Sequence, residues 1–190
     1  MTPAPASTSR TELRGDARGA AAVEFALIAP IFCLLFAAAI DFGGALYTNL
    51  RLDAAVAAGA NYAQVNAANV SAANGAALAL NIANIVKTSD GATYADAAVV
   101  VNNGPSASVT GGAVSSGGTP SGADACYCPT GSGDSLVWGS ATACGAACPA
   151  IGVAGKFVTI SVRRNYSPIF SSYGLVQNQT IRTSAIVETQ

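Results

Sequence analysis

Hydrophobic and polar positions divide the chain into a polar N-terminal segment, one long apolar run and a remainder with weaker patterns. From Ala20 to Ile40 the only charged residue is Glu24. At about 1.5 Å of rise per residue, a helix over this run reaches roughly 31 Å, which is enough to cross the hydrocarbon core of a bilayer. The pattern therefore predicts a single transmembrane helix over residues 20–41.

Helical spacing of apolar residues continues beyond this run to about position 64, through Leu46, Leu50 and Val56. We therefore expect one uninterrupted helix that extends past the membrane. A second, amphipathic helix is predicted over residues 71–87, where apolar side chains recur at three- and four-residue spacing.

Three later segments have the composition or alternation of β-strands: residues 97–101, 157–162 and 180–187. About fifty residues of mainly Gly, Ser, Ala and Thr separate the first segment from the second and predict a long loop. The aromatic segment between the last two, with Tyr166, Phe170 and Tyr173, is expected to cover the sheet's edge or core. The fold class is thus α+β, with a small antiparallel sheet of about three strands packed on the helices.

The composition excludes several classes of function. Charged residues make up 10% of the chain, the formal net charge is −1, and no basic stripe is present, so we expect no nucleic-acid partner. Histidine is absent, which removes the commonest general base and metal ligand. No hydrolase or phosphate-binding motif occurs. We therefore expect neither an enzyme nor a bound metal or cofactor.

Four of the five cysteines, Cys126, Cys128, Cys144 and Cys148, lie in the long loop. They could form a zinc site, a redox pair or two disulfides. The first two are too close for a usual zinc knuckle, and the thioredoxin spacing is missing. We therefore predict two disulfides in an oxidising compartment, with Cys33 free in the helix. A bond between Cys126 and Cys128 would close a strained ring, which leaves the two other pairings open.

Glu24 marks the apolar run as more than a simple anchor. A carboxylate there costs on the order of 2–3 kcal/mol at the bilayer centre, and less near its edge. A cut after Gly19 would expose the α-amine of Ala20, which is cationic at neutral pH because the pKa of an α-amine in water is about 8. That amine would lie four residues from Glu24, on the same helix face, and could offset its cost.

The segment Gly19-Ala-Ala-Ala-Val-Glu24-Phe25 resembles the prepilin peptidase site of type IV pilins. Its extension through Phe32 resembles the TadE-like proteins of tight-adherence (Flp, type IVb) pili. The resemblance implies a minor pseudopilin with a processing site at Gly19, Ala20, Glu24 and Phe25. It also implies a leader peptide over residues 1–19, a pilin-like domain over residues 42–190 with the long helix as its spine, and prepilin peptidase, other pilins and assembly-platform proteins as partners.

The arginines indicate the orientation in the membrane. Arg10, Arg14 and Arg18 precede the apolar run, whereas Arg51 alone follows within twenty residues. The positive-inside rule then places the N-terminus in the cytoplasm and the C-terminal domain in the periplasm of a bacterial inner membrane, before any incorporation into the pilus. The alternative function is an uncleaved single-pass anchor that carries a periplasmic binding module.

Overall fold

The long N-terminal helix is continuous and passes from one compact unit of the chain into the next. The computed structural model describes residues 17–90, 95–150, 152–168 and 180–190. Helix α1 extends over Ala17–Val65, and the two units comprise residues 1–40 and 41–190. The predicted extension of the helix past the apolar run is therefore confirmed, while residues 1–16 of the predicted leader lie outside the described part.

Within the first unit, α1 exposes large apolar side chains on all of its sides; that of Phe25, for example, is 73% exposed. Of the described residues, α1 is the one helix that is long and apolar enough to cross a membrane. A helix that is apolar all round, with its side chains uncovered by protein, is typical of a lipid environment. The described part of the chain thus includes one candidate membrane-anchoring helix, near the N-terminus.

The second unit adds helix α2, Gly75–Asp90. It begins later than predicted, because Ser71 belongs to the preceding turn: its Oγ accepts the Asn74 backbone N–H at 3.2 Å, and its carbonyl accepts that of Gly75 at 2.8 Å. The predicted amphipathic face is present, and Leu78 and Ile82 are buried along it.

The second unit contains a five-stranded antiparallel sheet with strand order β3-β2-β1-β4-β5. The strands are β1 Ala95–Val101, β2 Pro105–Thr110, β3 Ala113–Gly118, β4 Phe157–Asn165 and β5 Thr180–Glu188. The predicted α+β class, with two helices and an antiparallel sheet, is confirmed.

The number of strands is larger than the predicted three. Strands β2 and β3 form a hairpin inside the segment expected to be a loop, and Gly111 and Gly112 make its turn at φ +55° and +80°. Such positive φ angles are those of a tight hairpin turn, which glycine adopts without steric cost. The prediction missed the hairpin because β3 is rich in Ser and Gly and has one β-branched residue, Val114.

One face of the sheet, here called the inner face, carries the apolar core. Val99, Val158 and Ile160 are fully buried on it. Helix α2 packs on β1, β2 and β3. Helix α1 approaches α2 and β4 closely at Gly59, and the Thr183 hydroxyl of β5 donates to the Asp53 carboxylate of α1. The two helices therefore cover the inner face side by side.

Tyr166, the described aromatic residue of the predicted plug, is partly buried against the hydrophobic core, as one of the two predicted positions requires, and it also contacts helix α1. Its hydroxyl donates to the Asp41 carbonyl at 2.8 Å. A Cβ at Gly44 would lie 2.6 Å from that hydroxyl oxygen, so glycine permits the contact. Phe170 and Tyr173 lie outside the described residues.

Replacement of Gly59 by Leu tests the close packing of α1. A Cβ at Gly59 would lie 3.0 Å from Val86 and 3.1 Å from Ile160, so a larger side chain must displace core residues. We expect a loss of about 1–3 kcal/mol in the free energy of unfolding, measured by chemical denaturation in detergent micelles. Gly43→Leu is the matched control, because no described atom lies within 4 Å of that position. Equal stabilities of the two variants would contradict the packing argument.

Candidate processing site and stapled loop

The predicted cleavage position lies on an open surface at the start of α1. Gly19 and Ala20 are both exposed. A Cβ placed on Gly19 would meet no described atom within 4 Å. Packing of the described chain therefore gives no reason for a glycine at this position, and a helix interior disfavours it by up to about 1 kcal/mol relative to alanine.

Glu24 and Phe25 are exposed about one turn further along the same helix. Ala20 and Glu24 are four residues apart, so their side chains lie on one helix face. The structure thus brings the four predicted processing residues together on two uncovered turns of α1. Cleavage after Gly19 and the role of Glu24 stay predictions.

The four loop cysteines form two disulfides, Cys126–Cys144 and Cys128–Cys148. The expectation of a disulfide-stapled loop is confirmed, and the pairing is one of the two that the sequence left open. Because these sulfurs are bonded to each other, they are not the thiolates that the zinc alternative requires. Cys33 is free. We call residues 119–156, between β3 and β4, the stapled loop.

Asn102 attaches the stapled loop to the sheet. Its side chain is fully buried, and its Nδ2 donates to the carbonyls of Ala123 and Ala125. Its Oδ1 accepts the Phe157 N–H at 3.2 Å. One buried amide therefore connects the first part of the stapled loop to the first residue of β4, and its loss would leave the buried Ala123 carbonyl without this donor.

Asn102 also adopts a backbone conformation that few residue types tolerate. It has a φ of 50°, and Asn103, next to it in the β1–β2 turn, has a φ of 55°. Asparagine enters this left-handed region more readily than most residues with a Cβ. The turn and the buried amide thus select the same residue.

The middle of the stapled loop lies against the sheet face opposite the helices, here called the outer face. A Cβ at Gly133 would come within 2.9 Å of the Ser184 Oγ on β5, so the loop backbone approaches the strand closely. Tyr127 is buried, and its ring packs edge-on against Trp138 with centroids 5.8 Å apart. This contact fixes the indole at the edge of the outer face.

Within the described ranges, no three His, Cys, Asp or Glu side chains are grouped so that they could hold a metal ion. The exposed Asp96 and Arg163 side chains form an ion pair across β1 and β4 at 3.3 Å. An exposed pair of this kind contributes little to stability.

Sequence reasoning did not identify Asn102, Tyr127 or Trp138 as residues that organise the loop. The Asn-Asn-Gly-Pro segment after β1 signals a turn, but the pattern carries no information on which carbonyls a turn residue binds. A lone Trp in a Gly- and Ser-rich segment is a detectable signal, because such a segment offers few other large side chains to pack with.

Comparison with protein-family models gave a match over residues 19–61 to the family described as TadE-like protein. The match begins at the predicted cleavage position and lies entirely within α1. It confirms the resemblance seen in the sequence. Searches of curated proteins and of solved structures found no match to the chain.

The disulfide pairing can be tested by peptide mapping of the unreduced, alkylated protein. Chymotrypsin cuts after Tyr127 and separates Cys126 from Cys128, while elastase cuts within the Ala146-Ala147 segment and separates Cys144 from Cys148. We expect linked peptides for Cys126–Cys144 and Cys128–Cys148, with alkylation at Cys33 alone. Peptides that link Cys126 to Cys148 would contradict the structure.

Proposed function

We propose that the chain is a minor pseudopilin of a tight-adherence pilus, because its residues 19–61 match the model of the TadE-like family. The observation that carries this proposal is the Gly19 to Phe25 segment, which lies uncovered on the first turns of an apolar helix. In this role the chain is a structural and assembly component, and we assign it no catalytic activity.

Processing is the first step of the proposed role. A prepilin peptidase removes residues 1–19 at the inner membrane, so that Ala20 becomes the mature N-terminus. Two observations support this: the protein fold does not require a glycine at position 19, and the family match begins there. A peptidase that accepts only a residue without a side chain at the scissile bond would explain why position 19 is a glycine.

Glu24 acts in the second step, the joining of subunits. In lipid its carboxylate is unfavourable alone, and a cationic Ala20 amine offsets the cost through an ion pair that a low dielectric strengthens. The amine of a single chain lies in the frayed first turn and reaches water. The pairing therefore matters most when several helices pack together and the amine of one chain meets Glu24 of another.

The proposed topology has the N-terminus in the cytoplasm and residues 42–190 in the periplasm. Two disulfides in the C-terminal unit support this assignment, since such bonds form and persist in oxidising compartments. The partners are then the inner membrane, the peptidase, other pilins and the proteins of the assembly platform.

Replacement of Gly19 by Leu tests the processing step. We expect the precursor to accumulate, because the larger side chain does not fit the peptidase, whereas the fold has room for it. Gel mobility and N-terminal sequencing of the membrane-purified protein give the readout, and Gly15→Leu is the matched control. Wild-type protein that begins at Ala20 supports the proposal. A start at Met1 or Thr2 supports the uncleaved binding module instead.

Replacement of Glu24 by Ala tests the assembly step separately. The variant helix is more favourable in lipid, so we expect normal insertion and cleavage, but loss of cross-links to partner pilins and of surface piliation. The strain must lack the wild-type copy. Glu24→Asp, which keeps the charge, is the control and should retain part of the assembly. Wild-type cross-linking and piliation in Glu24→Ala would show that the carboxylate has no such role.

A further inference from the structure

The outer face of the sheet carries a row of small and hydroxylated side chains across all five strands. The strand register aligns them directly beside one another: Ser115, Ser108, Ala98, Ser161 and Ser184. The Ser108 and Ser115 hydroxyls are 2.8 Å apart and hydrogen-bonded. Because these side chains are small, they do not keep a ligand away from the backbone of the central strands.

Two cavities lie on this face and share Ala98 and Ser161 in their lining. The first, of about 270 Å³, extends over β1, β2 and β4 and has the Asp96–Arg163 ion pair at one side. The second, of about 260 Å³, lies between the sheet and the stapled loop and is lined by Thr159, Ser184 and Trp138 among others. The two cavities therefore adjoin at Ala98 and Ser161, and we call them together the cleft; Trp138 lines one of them and the ion pair lines the other.

The lining favours a neutral, polyhydroxylated ligand. Among the described lining residues, Asp96 and Arg163 are the only charged ones, and they form an ion pair with each other, so the lining itself carries no net charge. Hydroxyls of Ser108, Ser161 and Thr159 can each donate and accept a hydrogen bond, as can sugar hydroxyls. The carboxylate and the guanidinium supply one strong acceptor and one strong donor.

Trp138 supplies the apolar contact that such a ligand requires. Its indole is half-buried and is held by the buried ring of Tyr127. The C–H face of a pyranose ring can pack on an indole while its hydroxyls point to polar groups. An aromatic side chain that is already fixed loses little conformational entropy when a ligand binds.

We propose that this cleft, between the stapled loop and the outer face of the sheet, is a binding site for a short neutral oligosaccharide. The inference does not depend on the pilus assignment, because it rests on the second unit of the chain alone. A shallow cleft of this kind predicts a weak site, with a Kd on the order of 1 mM.

Trp138 is the only tryptophan of the chain, so its fluorescence reports on the cleft directly. The full chain is purified in a zwitterionic detergent without a sugar head group, because maltoside detergents would compete. It is then titrated with neutral glucose, N-acetylglucosamine and mannose oligomers, and with sialylated and uronic acid oligomers. We expect a saturable emission change with at least one neutral series. Saturation-transfer NMR provides an independent readout.

Thr159→Val is the decisive variant, because it removes one cleft hydroxyl without a change of shape and suits a strand. We expect its affinity to fall at least threefold, and Ser161→Leu, which fills the shared floor, to abolish binding. Ser116→Val, on the opposite side of β3, is the control and should bind normally.

Three results would overturn the proposal: no binding of any neutral oligosaccharide at about ten times the expected Kd, binding of acidic sugars only, or wild-type affinity in Thr159→Val. Loss of binding in Ser161→Leu supports the proposal only if mass analysis shows that the disulfides of this variant are intact. The result for Thr159→Val is interpreted without this condition, because the substitution does not change the shape of the side chain. Processing of wild-type protein at Gly19 is scored separately, so that failure of one proposal leaves the other unaffected.

Discussion

Burial of one side of α1 against both α2 and the sheet is the interaction on which the rest of the second unit depends. Leu52, Ala55 and Ala63 are fully buried, and the absence of a side chain at Gly59 lets the helix backbone approach Ile160. The same helix exposes apolar residues on every side in the first unit. Helix α1 is therefore apolar and exposed in the first unit and packed against protein in the second. The family match covers residues of both parts.

The sequence predicts the parts of this fold in which large apolar residues repeat. The spacing of Leu78 and Ile82 is sufficient to predict helix α2, and the β-branched residues of β4 are sufficient to predict that strand. The hairpin of β2 and β3 could not be predicted from side-chain hydrophobicity, since its pairing depends on backbone hydrogen bonds and on a Gly111-Gly112 turn. That dipeptide is a hairpin signal when apolar strands flank it, and here the flanking Ser and Gly residues weaken it.

The candidate sites also differ in how far the sequence alone predicts them. Gly19 and Glu24 are separated by a short stretch of one helix, so spacing alone places them together. The stapled loop is different, because Asn102 reaches Ala123 and Ala125 from a distant turn, and the pairing of four cysteines depends on how that loop folds back. Trp138 reaches the cleft on a loop whose backbone approaches Ser184 closely at Gly133. Contacts of this kind depend on tertiary packing, which local patterns do not encode.

The two disulfides make the cleft a property of the oxidised chain. They link residues 18 and 20 positions apart and hold the loop over strands β4 and β5, whose outward side chains include Thr159, Ser161 and Ser184. Where thiols are kept reduced, the sheet and helices can still form a core, but the wall that carries Trp138 loses its covalent restraint. The loop wall of the cleft therefore gains its covalent restraint only in a compartment where the chain meets an oxidant.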